Sequence, residues 1–301
     1  MSTYHKPVLL HECLEGLNIR SEGRYVDVTF GGGGHSKAIL DRLGKSGRLI
    51  AFDQDEDALA NAPDDPRFLL VQQNFRYLKN FLRLHQAIPV DGILADLGIS
   101  SHQIDEPLRG FSTRFDGPLD MRMNRNASRT AADVVNTYGE QELKKMFSEY
   151  GEVENAGRLA RLIAEERGKK KITTVEDLRT IATKIAPKGK EFRYLAKVFQ
   201  ALRIEINAEV EALKQLLMQA QEVLGPGGRL VVISYHSLED RLVKNFFRAG
   251  NFSGEQEKDF YGNVIRPLRE ITRKPVTPGE KEVEENSRAR SAKLRIAEKP
   301  A

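Results

Sequence analysis

The first hundred residues alternate between short apolar runs and amphipathic stretches. Apolar runs occur at 25–30 (YVDVTF), 48–52 (RLIAF), 67–71 (RFLLV) and 90–97 (VDGILADL). Between them lie 34–43 (GHSKAILDRL), 55–62 (DEDALANA) and 75–84 (FRYLKNFLRL), whose composition suits helices or loops. Strand-like and helix-like segments in strict alternation predict parallel strands joined by helical crossovers. The pattern breaks after Leu97. A loop bearing glycine and proline runs over 105–124, and no strand-like run follows before about residue 205. Helical signals fill that interval. Thr173 and Glu176 stand at capping-box spacing, with Leu178, Ile181 and Ile185 at helical spacing behind them. Leu143, Phe147 and Tyr150 share a face that Gly151 ends. A long helix with a seam of Val210, Leu213, Leu217 and Leu224 then stops at 225–228 (GPGG), and strands are expected at 229–234 and 292–297. The reading is an α/β chain with a doubly wound, mostly parallel sheet and an inserted all-helical domain. The sheet domain takes residues 1–104 and 205–301, the insertion 105–204.

Composition narrows the class of protein. Among 301 residues no apolar run nears the ~20 that a membrane span requires. The charged residues inside the first apolar run argue against a secretory leader. The single cysteine, Cys13, excludes an internal disulfide and suits a reducing cytoplasm. The net charge of +4 is a mild lean toward anionic partners. Lysine and arginine concentrate at 167–197 and 286–299. The histidines are scattered, and one cysteine cannot build a zinc site, so no metal is expected.

Candidate chemistry centres on Gly31–Gly34, between the first apolar run and a helical stretch. Such a loop brings a ligand close to the backbone at a helix N-terminus. A triphosphate loop would close with Gly-Lys-Ser/Thr; here Gly34-His35-Ser36 closes it. A dinucleotide loop would have a third glycine where Ser36 stands. Three aspartates lie at expected strand ends: Asp27, Asp53 and Asp96. In a parallel sheet those ends open on one crevice. Asp53 suits ribose hydroxyls of either NAD or S-adenosylmethionine. Asp27 and Asp96 would repel a pyrophosphate and suit a sulfonium and an ammonium. Each could instead do no more than cap the helix that follows.

Seven stretches together resemble the bacterial ribosomal RNA cytosine-N4 methyltransferase family, often called small-subunit rRNA methyltransferase H. They are HKPVLL (5–10), TFGGGGHS (29–36), DGILADLGISSHQ (91–103), GPLDMRMN (117–124), FQALRIEINAE (199–209), SYHSLEDR (234–241) and NSRARSAKLRIAE (286–298). The resemblance runs through nearly the whole chain, in order. It implies a class I methyltransferase domain interrupted by a helical substrate-binding domain. It also implies S-adenosyl-L-methionine as cofactor, and the small ribosomal subunit or its 16S rRNA as partner. The reaction implied is methylation of the exocyclic N4 amine of a cytidine in the decoding region. Gly33, Gly34 and His35 match the family's cofactor loop, Asp53 the ribose-binding acid, Phe75 a residue beside the adenine, and Asp96 and Gln103 the remaining contacts. Val28 stands where many members have glycine.

An amine attacks without a covalent intermediate, so no cysteine nucleophile is needed. Asp96 is expected at the N4 amine or at the reactive end of the cofactor. Tyr235 is expected to stack on the target base or to pack beside the sheet. His236 is expected to contact substrate, or else to orient Asp240 or the backbone. Phosphate contacts are expected from 167–197 and from Arg288, Arg290 and Arg295. The alternative substrate is another RNA or a protein. The sequence leaves the oligomeric state open.

Overall fold

The computed structural model describes residues 7–300. The first elements alternate as α1 Leu10–Leu17, β1 Arg24–Asp27, α2 Gly34–Leu40, β2 Arg48–Asp53, β3 Phe68–Gln72, α3 Leu78–Leu84 and β4 Val90–Asp96. Helices follow: α4 Ser101–Asp105, α5 Ala131–Thr137, α6 Glu140–Gly151, α7 Ala156–Lys169, α8 Val175–Thr183, α9 Glu191–Asn207 and α10 Glu209–Val223. The chain closes with β5 Leu224–Ser234, α11 Ser237–Ala249, β6 Arg269–Glu270, α12 Glu280–Glu285 and β7 Lys293–Glu298.

The seven strands form one sheet in the order β3-β2-β1-β4-β5-β7-β6. Strands β3 to β5 are parallel; β7 runs antiparallel to both β5 and β6. The chain starts in the middle at β1, walks outward to β3, then returns to β4 on the other side of β1. That reversal leaves a crevice beyond the C-terminal ends of β1 and β4, where open sheets of this kind bind ligands. The register puts Asp27 opposite Ala51 and Leu94, so Asp53 and Asp96 end level with each other, two residues beyond Asp27. One face of the sheet is sealed by α1 and α2. Cys13, Leu14, Leu17, Ile39 and Leu40 pack there on Tyr25, Leu94, Val231 and Ile296.

The chain divides into two compact units. One comprises the residues up to Gly98 and from Glu211 onward; the other is Ile99–Val210. The second is helical and has its own core, with Leu143, Phe147, Leu159, Ile163, Leu178, Val198 and Leu202 buried together.

Two local expectations shift. The box that starts α8 is Thr174 with Asp177, one residue later than Thr173 with Glu176. Asp177 sits at the third helical position and accepts from both the Thr173 and Thr174 amides, while Glu176 turns to Arg179. Leu224 belongs to β5, not to the seam of α10: it pairs with Val90, and the ladder slips between Val90 and Gly92. The glycine-proline turn therefore lies within the irregular start of the strand.

Candidate active site

The loop after β1 rises from Asp27 and turns into α2 at Gly34. Gly33 caps the helix in the left-handed region, with φ of 76°, and a Cβ there would meet the Phe30 ring at 3.0 Å. A side chain on Gly34 would collide with Pro7, 2.4 Å away. Gly32 is exposed, and a Cβ there would meet nothing among the described residues. The loop therefore offers bare backbone to a ligand. No lysine or arginine lies between Asp27 and Ser36, which disfavours a pyrophosphate and fits a cofactor that carries positive charge.

Asp27 does not line this surface as the sequence suggests. It is 1% exposed. Its Oδ2 accepts from the Ser36 hydroxyl at 2.7 Å, and its Oδ1 from the Thr29 amide at 3.1 Å and the Thr29 hydroxyl at 3.4 Å. A carboxylate wrapped by donors on both oxygens is a clasp for the glycine loop, not a ligand contact. The Thr29 hydroxyl also accepts from the Asp96 amide at 2.7 Å, tying the loop to the end of β4. Burial pushes the Asp27 carboxyl up; the facing His35 and the Ser36 and Thr29 donors oppose that.

Asp53 ends β2. Its oxygens accept from the amides of Gly31 and Asp55, each at 2.8 Å. Burial raises its carboxyl to about 6 against these hydrogen bonds. Phe75 opens the short turn Phe75–Tyr77 beyond β3. The neighbouring Asn74 donates to Gln54 at 2.9 Å, which holds this turn beside the end of β2.

Asp96, Tyr235 and His35 converge. The Tyr235 hydroxyl donates to Asp96 Oδ1 at 2.7 Å. His35 Nδ1 lies 3.8 Å from Asp96 Oδ2, and its Nε2 lies 3.1 Å from the Val8 carbonyl oxygen. Burial raises the Asp96 carboxyl, while His35 and the Tyr235 hydrogen bond pull it back. The Tyr235 hydroxyl is pushed up by burial and by Asp96. Its ring packs against the core that α1 and α2 cover. The Tyr235–Asp96 bond is the contact that sequence reasoning missed; nothing in the spacing of the two residues announces it.

His236 caps α11. Its Nδ1 accepts from the Glu239 amide at 3.4 Å, and its Nε2 lies 3.1 Å from Glu239 Oε1. The expected role toward Asp240 is absent, because Asp240 instead accepts from Arg295 at 2.7 Å and Lys293 at 3.2 Å. That pairing also corrects the reading of Arg295 as a phosphate contact: it is buried and neutralised. Arg290 is exposed. Gln103 belongs to the helical unit. It is buried there, with its side chain accepting from the Ser100 amide at 3.1 Å in a capping box that starts α4. Cys13 is fully buried, and burial raises its thiol.

A sheet of this order, with a glycine loop after β1 and carboxylates at the ends of β2 and β4, defines the class I methyltransferase fold. The chain belongs to the MraW methylase family, whose model matches residues 2–300. It is similar to the ribosomal RNA small subunit methyltransferase H of Bacteroides thetaiotaomicron, 57% identical over 297 residues covering 99% of this chain and 98% of the relative. The protein of the same name from Cytophaga hutchinsonii is 58% identical over 298 residues, covering 98% and 99%. Among solved structures, an rRNA methylase from Streptococcus thermophilus aligns over 97% of this chain and 94% of its own, with TM-score 0.43 and 13% identity.

Proposed function

We propose that this protein transfers a methyl group from S-adenosyl-L-methionine to the N4 amine of a cytidine in the decoding region of 16S rRNA, by direct displacement. The observation that carries the cofactor assignment is the crevice itself: carboxylates at the strand ends, a bare glycine loop, and no basic side chain within that loop. Gly33, Gly34, His35, Asp53, Phe75, Asp96 and Gln103 are the residues that hold the cofactor. Asp53 accepts from its ribose hydroxyls, and Phe75 borders its adenine. When bound, the cofactor supplies a methyl group activated by a sulfonium.

The protein's own work is alignment and hydrogen bonding. Asp96 accepts a hydrogen bond from N4–H and draws the conjugated amine toward a nucleophilic geometry. Cys13, sealed in the core, takes no part, in keeping with a route that forms no covalent enzyme–base bond. The amine is unreachable inside stacked RNA, so the nucleotide must leave its stack at a cost of roughly a few kcal/mol. The helical domain, residues 105–204, binds the RNA and offsets that cost. Within 167–197 much of the basic charge is already paired: Lys170 with Asp177, and Lys169 and Lys184 with Glu166. Lys188, Lys190 and Arg193 are exposed without an ion-pair partner among the described residues, and Phe192 beside them is 69% exposed. Bases flanking an exposed aromatic suit single-stranded RNA. The site of action is the cytoplasm.

The test is methylation of small ribosomal subunits from cells lacking the gene, using labelled S-adenosylmethionine and mass mapping of the RNA. Label in N4-methylcytidine of 16S rRNA supports the reading. Label in another RNA or in protein favours the alternative substrate. Binding to the RNA should weaken steeply with salt; a flat salt dependence counts against the basic surface.

A further inference from the structure

The Asp96 carboxylate has two oxygens with different surroundings. Oδ1 receives the Tyr235 hydroxyl at 2.7 Å, a short charge-assisted bond. Oδ2 makes no hydrogen bond among the described residues; the His35 ring faces it at 3.8 Å from Nδ1, beyond hydrogen-bond reach. The His35 tautomer follows from its other nitrogen. Nε2 lies 3.1 Å from the Val8 carbonyl, which can only accept, so Nε2 carries a hydrogen. The carboxylate side chain is 24% exposed, whereas His35 is 8% exposed behind it. Among the described residues, Asp96 thus has one anchored oxygen and one oxygen free to meet a donor.

We propose that Tyr235 is a positioning residue for the amine-accepting carboxylate. Its hydroxyl pins Oδ1 of Asp96 and holds the group ionised, so that Oδ2 is presented to the N4–H of the target base. This inference rests on the proposed function, because it gives the amine hydrogen bond to Asp96. It replaces stacking on the base as the role of Tyr235: the hydroxyl is committed to Asp96 and the ring to the core. The ionised form is the one that matters, since a protonated carboxyl would present a donor to an amine that is itself a donor.

Several groups face Asp96 and bear on its charge. Asp27 at the end of β1 and Glu239 of α11 disfavour ionisation; Tyr235 favours it, as does His35 of α2 when its ring is positively charged. Cys13 of α1 also senses the Asp96 charge from the buried side. Only the Tyr235 hydroxyl makes a direct side-chain hydrogen bond to the carboxylate among these, so its removal is the cleanest perturbation.

The test compares wild type with Tyr235→Phe, which deletes one oxygen and keeps the packed ring. The Asp96 carboxyl is followed by carbon-13 NMR in the protein without substrate, assigned by its absence in Asp96→Asn. In Tyr235→Phe the Asp96 titration should move to higher pH, because a donor to the ionised form is gone. In methylation of small subunits, kcat at neutral pH should fall about tenfold, the loss expected for one hydrogen bond to a charged group. It should recover as pH rises, with little change in affinity for S-adenosylhomocysteine. In wild type the carbon-13 shift of Tyr235 Cζ should follow the same titration, which keeps the test independent of whether Tyr235→Phe folds. An unchanged Asp96 titration in Tyr235→Phe, or a wild-type Tyr235 signal that does not follow Asp96, overturns the inference. So does a loss of activity that is the same at every pH. If the titration moves but the wild type does not methylate 16S rRNA, the positioning role stands and the substrate assignment falls.

Discussion

The helical unit and the crevice of the sheet unit treat their carboxylates in opposite ways. In the helical unit each acid whose titration is displaced leans on a partner. Asp177 accepts from Lys170 and caps α8, and is lowered to about 2. Asp133 is lowered by the Thr130 amide and hydroxyl it caps, and Glu166 by Lys184 and Lys169. In the sheet unit, Asp27, Asp53 and Asp96 are all raised, and burial is the largest cause in each. None of the three has an arginine or lysine partner among the described residues. The helical unit uses acids to hold itself together. The sheet unit tolerates buried negative charge around one crevice, an arrangement that costs stability unless something positive arrives.

The largest expected effect is on the crevice side. Asp53→Ala should weaken S-adenosylhomocysteine binding about a hundredfold by calorimetry, the loss of two hydrogen bonds to a charged acceptor. A change below threefold would break the claim that Asp53 is a ligand contact. Ser36→Ala comes next. It strips one donor from the buried Asp27 clasp, and should cost about 2 kcal/mol in denaturant unfolding; no loss would show that the clasp is dispensable.

The comparison also has opposite signs in pH. Asp53 binds protons better folded than unfolded, its carboxyl rising from 3.8 to about 6. Its contribution to stability is therefore lost as pH rises through that range. Its ionised form accepts from ribose, so cofactor affinity should fall about tenfold between pH 7 and pH 5. An affinity flat across that range would sink the assignment. Asp177 has the reverse sign: its stabilisation is complete above the unfolded value of 3.8 and is lost as pH falls toward 2. The smallest effect is accordingly Asp177→Ala, which should lower stability by about 1 kcal/mol and leave cofactor affinity unchanged. A shift in cofactor binding there would undo the separation between the two kinds of acid.

How far the sequence could be read follows the same division. The strands of the parallel half were legible because each is a short apolar run closed by a turn or an acid, as in Leu49–Asp53 and Ile93–Asp96. The positions of Asp53 and Asp96 followed, since strand ends in such a sheet share a crevice. Asp27 was misjudged for a physical reason. Whether a strand-end acid faces out or in depends on where Thr29 and Ser36 point their hydroxyls, and hydropathy carries no trace of that. The Tyr235–Asp96 bond joins residues 139 positions apart, beyond any local pattern. The cap of α8 slipped by one because Thr173 and Thr174 are both competent, and only the helix start at Val175 chooses between them.

The Thr29 hydroxyl has one hydrogen and two neighbours. The Asp96 amide can only give, so that hydrogen must go to Asp27. The link from β4 to β1 is therefore directional, and its vocabulary is narrow. Serine could speak it; an isosteric valine would fill the same space and be mute on both sides. Three residues later Gly32 borders open space, where a small side chain meets no atom of the described residues. The least and the most replaceable positions of the loop thus sit almost next to each other, one answerable to the protein and the other only to whatever the crevice holds.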